Sequence, residues 1–361
     1  MKLSKEKYLI ALSTFVPFGP QRLKLLIKYF GTPGKVWLAK KDELLETGLS
    51  QKIVNDFVKH REVFLVEKYF NKLKHLGITC LTKTDKGYPK ILKEIDTAPF
   101  VLYVKGKILK ADENAIAIVG SRKMSYYGRE VAEKFASELG SLGVTVVSGL
   151  ARGVDTWAHR GSLEGGGRTL AVLGCGLDKI YPPDNKKLSE KIVENGALLS
   201  EYPLGYPALP HNFAARNRII SGLSKAVVVV EGRKKSGTLL TVGHALDQGK
   251  TVFAVPGQIT SPLSEAPHFL LQNGAKPAFS VKDILEELNL QLLVDSETVE
   301  KNFPDDEDEE KICKSLEVEG LHVDEVVRIT RLPIDLVSAK LVVLEIKGIV
   351  KNIGNGKYRK V

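Results

Sequence analysis

Cysteine is scarce in this sequence: Cys80, Cys175 and Cys313 lie far apart and form no C-x-x-C pair. That excludes a disulfide framework and a zinc ribbon, and it fits a reducing compartment. No apolar run approaches the roughly 20 residues needed to span a bilayer. The opening Met1-Lys2-Leu3-Ser4-Lys5-Glu6-Lys7, followed by apolar Tyr8 to Val16, has the outline of a secretory leader. No small-residue cleavage site follows, however, and the helical apolar period continues past Pro20 through Leu23, Leu26 and Ile27. A cytoplasmic protein with no membrane partner is expected. The seven histidines are scattered without metal-ligand pairing, and no Ser, His, Asp set stands out. Neither a metal nor a cofactor is expected, and no catalytic residue is assigned.

What the sequence does have is length and positive charge. Its 361 residues suffice for two or three domains, and 43% hydrophobic with 27% charged residues excludes a wholly disordered chain or a membrane bundle. The 53 Lys and Arg against 43 Asp and Glu leave a net charge of +10, which permits nucleic-acid binding without establishing it. That charge is unevenly placed. Residues 1–80 carry 15 basic and 7 acidic side chains, residues 81–290 carry 27 and 21, and residues 291–361 carry 11 and 15. The run Asp305-Asp306-Glu307-Asp308-Glu309-Glu310 reads as a self-repelling linker, or as an acidic arm competing with nucleic acid for basic surface. These shifts divide the chain into a helical domain (1–80), an α/β domain (81–290), an acidic linker (291–310) and a small C-terminal domain (311–361).

The middle segment alternates strand and helix patterns. Ala115 to Val119, Thr145 to Val147, Thr169 to Leu173, Ala226 to Val230 and Thr251 to Val255 are short apolar runs rich in β-branched residues. Between them lie helical stretches such as Gly128 to Leu142 and Thr238 to Gln248. Runs apolar at every position belong to strands buried on both faces, so the expected fold is a doubly wound, mostly parallel Rossmann-like sheet. Such sheets bind ligands beyond the carboxyl ends of their strands.

Three strand-end loops there have the chemistry of an anion site: Gly120-Ser121-Arg122, Ser148-Gly149-Leu150-Ala151-Arg152-Gly153-Val154-Asp155, and Glu231-Gly232-Arg233-Lys234-Lys235-Ser236-Gly237-Thr238. Each combines glycine with a hydroxyl or a cation and leads into a helix whose first N–H groups and dipole favour negative charge. The plain alternative is that tight βα turns require glycine anyway. Gly232 to Thr238 has Walker A spacing but lacks the lysine and the hydroxyl that should follow, and Gly174-Cys175-Gly176-Leu177-Asp178-Lys179 lacks the third glycine of a dinucleotide site. On the helical segment Asn212 to Ile220, Ile219 and Ile220 can face the sheet while Phe213 and Arg216 fall three apart on one face. A guanidinium beside an aromatic suits a single strand, with Arg on a phosphate and a ring on an unpaired base. Phe213 in the core and the arginines in salt bridges is the competing reading.

The ordered set Ile118-Val119-Gly120-Ser121-Arg122, Ser148-Gly149-Leu150-Ala151-x-Gly153-Val154-Asp155, Ala171-Val172-Leu173-Gly174-x-Gly176-Leu177-Asp178-x-Ile180-Tyr181-Pro182, Arg216-Asn217-Arg218-Ile219-Ile220, Ser236-Gly237-Thr238-Leu239 and Val255-Pro256-Gly257 resembles the DNA processing protein A (DprA, or Smf) family. The resemblance implies a protein that binds incoming single-stranded DNA during natural transformation, protects it, dimerises, and helps load RecA recombinase. Carried over by position, it implies a DNA pocket at Ser121, Arg122, Gly149, Phe213, Arg216, Arg218, Ser236 and Gly237. Arg152, Lys179 and Thr238, on the strand-end loops, complete the candidate contacts. Ala214 stands where the family usually has proline, and Glu265-Ala266-Pro267-His268 where it tends to have glycine and asparagine. The stretch Pro267 to Leu271 is a candidate dimer surface, or else ordinary core.

The flanking segments look like that family's too. The first, with Gly19, Gly31 and Gly48 between helical runs, resembles paired helix-hairpin-helix units, in a SAM-like helical domain. The last reads helix, helix, helix and a closing hairpin, which resembles a winged helix. Its third helix, Pro333 to Ile346, carries Lys340 as its only cation, so a packed or protein-docking role is favoured over duplex reading. The alternative function is an enzyme, because the Ser236-Gly237-Thr238 loop also resembles the phosphate loop of nucleoside-monophosphate phosphoribohydrolases. Those enzymes place a catalytic glutamate where Thr241 stands, so the binding reading is preferred.

Overall fold

The computed structural model describes residues 4–234, 236–290, 307–316, 320–346, 349–354 and 356–360. The chain forms two compact units, Met1–Leu290 and Gln291–Val361. Among the described residues no helix is long and apolar enough to cross a membrane.

Nine strands of the first unit form one sheet: β1 (Ile78–Thr82), β2 (Val101–Gly106), β3 (Ala115–Val119), β4 (Thr145–Ser148), β5 (Thr169–Val172), β6 (Gly196–Ser200), β7 (Ala226–Val229), β8 (Thr251–Ala254) and β9 (Lys276–Pro277). Their order is β1-β2-β6-β5-β4-β3-β7-β8-β9. The seven strands from β6 to β9 run parallel, and β2 and β1 extend that sheet antiparallel from the β6 edge. Every residue of β3 through β7 is buried, as the unbroken apolar runs require.

The two sheet faces belong to different cores because successive strand residues point in opposite directions. Ala115, Ala117, Val119, Val227 and Val229 pack against Ile219, Ile220 and Leu223, at the end of the Pro210–Gly222 helix. Ile116, Ile118, Ala226 and Val228 face the other way, onto Phe135 and Leu139 of the Tyr126–Ser141 helix and Val154 and Ala158 of the Val154–Glu164 helix. Each such buried Val, Leu or Ile contributes about 1.5–3 kcal/mol. This is the doubly wound α/β architecture, preceded by six α-helices from Lys5 to His75.

Chain order reverses at β3. The strands β3, β4, β5 and β6 march one way, and β7 returns to the other side of β3. The boundary expected at residue 80 falls inside β1, and one core joins Leu9, Ile10 and Leu73 to Tyr103 of β2 and Leu173 beyond β5. The helical segment is therefore continuous with the sheet.

The second unit holds the helices Glu307–Ser315, Val323–Thr330 and Ile334–Ile346 and a three-stranded sheet of β10 (Leu321–His322), β12 (Lys357–Lys360) and β11 (Val350–Gly354), in that order. Three helices closed by a hairpin make a winged helix. The acidic run corrects the linker expectation: Glu307 to Glu310 form the first turn of a helix, where carboxylates complement the dipole, and only 305 and 306 lie outside the described residues.

Candidate functional site

The main cleft opens at the reversal point, beyond the carboxyl ends of β3 and β7, with a volume of about 860 Å³. Ser121, Arg122, Asp155, Phe213, Arg216, Ser236, Gly237 and Thr238 line it, together with Arg233 and the Ser261–Leu263 turn.

The three glycine loops differ in what they leave open. Behind the first, the Glu231 carboxylate accepts from the Ser125 N–H (2.9 Å) and hydroxyl (2.5 Å), so the start of the Tyr126–Ser141 helix already has its anion. In the second, buried Asp155 accepts from the N–H groups of Gly149 (3.1 Å) and Ala151 (3.3 Å). The third is open. The Thr238–Asp247 helix begins at Gly237 with no side-chain cap, and the buried Ser236 Oγ has no hydrogen-bond partner among the described residues. The N–H groups of Leu239 and Leu240 donate to the Ser236 and Gly237 carbonyls, so the hydroxyl and the N–H groups of Gly237 and Thr238 form the seat for an oxyanion. Of the three loops, this one fits an external phosphate.

Arg216 also departs from the sequence expectation. It is 3% exposed, and its Nη1 donates to the carbonyls of Gly149 (2.7 Å) and Val172. Burial pushes the guanidinium down to about 10, while Asp155 acts the other way. Burial likewise raises the Asp155 carboxyl, opposed by Arg216 and by the N–H groups it binds. A side chain at Gly149 has no room, because a Cβ there would come within 2.5 Å of the Arg216 guanidinium. The cation beside Phe213 is instead Arg122, exposed and 5.3 Å from the ring centroid. Helical spacing puts residues 213 and 216 on one side, yet the long arginine reaches the strand-end carbonyls of Gly149 and Val172.

The remaining candidates lie outside the cleft lining. Arg218 is buried against Glu201 at 2.6 Å, Arg152 pairs with Asp184 at 2.6 Å, and Lys179 donates to the Gly205 carbonyl at 3.2 Å. Gly149 has its N–H on Asp155 and its carbonyl on Arg216. Sequence reading missed Asp155 and Glu231 as internal counter-ions, although both stand in the quoted loops. It also missed Ser261 to Leu263, which carry no local signal. In the Pro267–Leu271 stretch, Pro267 and Leu270 are buried and Phe269 is 38% exposed.

Comparison with known proteins adds to this geometry. A family model described as DNA recombination-mediator protein A matches residues 79–289, and one described as the DprA winged helix domain matches 297–356. The chain belongs to the DprA family. It is 34% identical to the Smf protein of Synechocystis over the full length of both chains. It is 38% identical to the DNA processing protein DprA of Bacillus subtilis, over 70% of this chain and 89% of that one. The solved structure of DprA from Streptococcus pneumoniae aligns with 80% of this chain and 99% of its own, at 35% identity and a TM-score of 0.67. DprA from Helicobacter pylori, described for its single-stranded DNA binding mode, aligns with 60% of this chain and 97% of its own, at 28% identity and a TM-score of 0.54.

Proposed function

We propose that this chain, as a cytoplasmic homodimer, binds and protects single-stranded DNA in the cleft beyond β3 and β7 and hands it to the RecA recombinase during natural transformation. One observation carries the binding reading. The Ser236–Thr238 helix start, which no side chain caps, lies in the same cleft as an exposed guanidinium and an aromatic ring. A phosphate fits the Ser236–Thr238 end and a base fits the ring, with no edge-reading groups implied. The Helicobacter relative's single-strand binding supports the ligand, and family membership supports the recombinase and dimer parts.

Binding is preferred to cleavage on chemical grounds. Thr241 lines the cleft where a phosphoribohydrolase would need its glutamate, and Asp155 is engaged with backbone N–H groups and Arg216. The test is affinity for single-stranded and duplex DNA across a salt series. Single strands are expected to bind more tightly, with a log-log slope of about −0.7 for each phosphate neutralised. A salt-independent or duplex-selective interaction overturns the reading, and release of free base from nucleoside monophosphates reverses it in favour of the enzyme.

A further inference from the structure

Tyr181 sits in the Ile180-Tyr181-Pro182 motif and has no part in the contacts described so far. Phe213, the ring expected to receive a base, is hemmed in. Its edge lies on the Gly174 backbone, where a Cβ would come within 2.9 Å of it, and the Arg122 guanidinium lies over it at 5.3 Å. The Tyr181 ring lies 5.3 Å from it, tilted by 33°. Phe213 is only partly exposed, whereas Tyr181 is 46% exposed and its hydroxyl bonds to no described residue. Tyr202 and Tyr206 make a useful contrast: their rings stack on each other at 5.1 Å and 4°, and Tyr202 is buried. Tyr181 keeps open ring surface at the outer end of a row that begins in the cleft. The same loop carries the exposed ammonium of Lys179, two residues before it.

Stacking needs an uncovered ring face, and it tolerates any base because every base has a π-face. We propose that Tyr181 is a stacking platform for a base of the bound single strand, next to the nucleotide whose phosphate is held between Arg122 and the Ser236–Thr238 helix start. Phe213, which takes the base in the cleft, also holds Arg122 and Tyr181 in line. This rests on the cleft being a single-strand site. It adds a direction: the strand leaves the cleft past Phe213 towards the Lys179–Tyr181 loop.

The experiment uses the full chain with a 20-mer of thymidylate, the same 20-mer carrying abasic spacers at successive positions, and 20-mers carrying one 2-aminopurine. Tyr181→Ala is expected to weaken thymidylate binding about tenfold, leave the salt slope unchanged and abolish fluorescence quenching of 2-aminopurine at one position. Tyr181→Phe is expected to keep both affinity and quenching. With the spacers opposite Tyr181, wild type and Tyr181→Ala are expected to bind equally, which also shows that the variant is folded. Unchanged affinity and quenching in Tyr181→Ala overturn the proposal. Equal weakening on thymidylate and abasic strands, or a flatter salt slope, overturns it too, because stacking predicts neither. If wild type binds no single strand at all, the cleft reading fails first; if wild type binds and only the Tyr181 results fail, the cleft reading stands.

Discussion

The cleft at the sheet's reversal point and the third helix of the winged-helix unit use their cations in opposite ways. In the cleft, Arg122 and Arg233 are exposed, and the open helix start lies among the same lining residues. On the Ile334–Ile346 helix, Lys340 is directed to Glu309, a carboxylate only 2% exposed, at 3.2 Å. The rest of that helix buries Val337, Leu341 and Leu344 and exposes Ile334, Val342 and Val343. The same contrast recurs within the first unit, where Arg216 and Arg218 are held by carbonyls and a carboxylate while Arg122 is not. A count of basic residues therefore does not locate a polyanion site. Within the strand-end loops, what distinguishes the candidate contacts is which cations have no internal acid.

Arg216 and Arg122 give the sharpest test of that distinction. Arg216→Ala removes a buried cation from two carbonyls and from Asp155, so a loss of about 3–5 kcal/mol is expected in urea denaturation. Arg122→Ala is expected to change the unfolding free energy by no more than about 0.5 kcal/mol. Equal stabilities would erase the difference between committed and available cations.

Acid should expose the buried polar groups of the first unit next. His159 is fully buried, its Nδ1 lies 2.6 Å from Thr169 Oγ1, and burial pushes its pKa down to about 3. The folded state therefore binds fewer protons than the unfolded one between about 6.5 and 3. Stability contributed by neutral His159 is full above that window and falls as pH drops through it, by up to about 1.4 kcal/mol per pH unit. His159→Gln should flatten the stability profile between pH 6 and 4 in chemical denaturation.

Binding tests carry smaller effects. Arg122→Ala is expected to weaken single-strand binding and make the salt slope shallower by about 0.7; an unchanged slope would remove Arg122 from the phosphate contacts. The smallest change is expected on deleting the whole second unit, residues 291–361, with single-strand affinity staying within about twofold. A large loss, or duplex binding by the isolated winged-helix unit, would contradict the contrast drawn between the two regions.

Much of this was legible in the amino acids. The five strands read from apolar runs are all present, and the glycine loops lie at the carboxyl edge as a parallel sheet demands. β6 was harder, being a five-residue strand that begins with glycine, and β9 is two exposed residues at the sheet edge. Which loop is open was not legible, because it depends on pairings across the fold. Glu231 reaches Ser125 across 106 positions, and the Arg216 guanidinium meets Gly149 across 67. Periodicity gives the side of a helix on which a residue lies, not the end point of a long flexible arm.

The double tie at Glu231 has a kinetic consequence. Its carbonyl accepts from the Ser121 N–H at 2.8 Å while its carboxylate holds Ser125, so the loops after β3 and β7 are fastened together. For the single strand proposed to bind here, those two loops form a floor already tied together before contact. On that proposal, capture is expected at a rate set by diffusion and charge, with the lifetime of the complex left to the side chains above that floor.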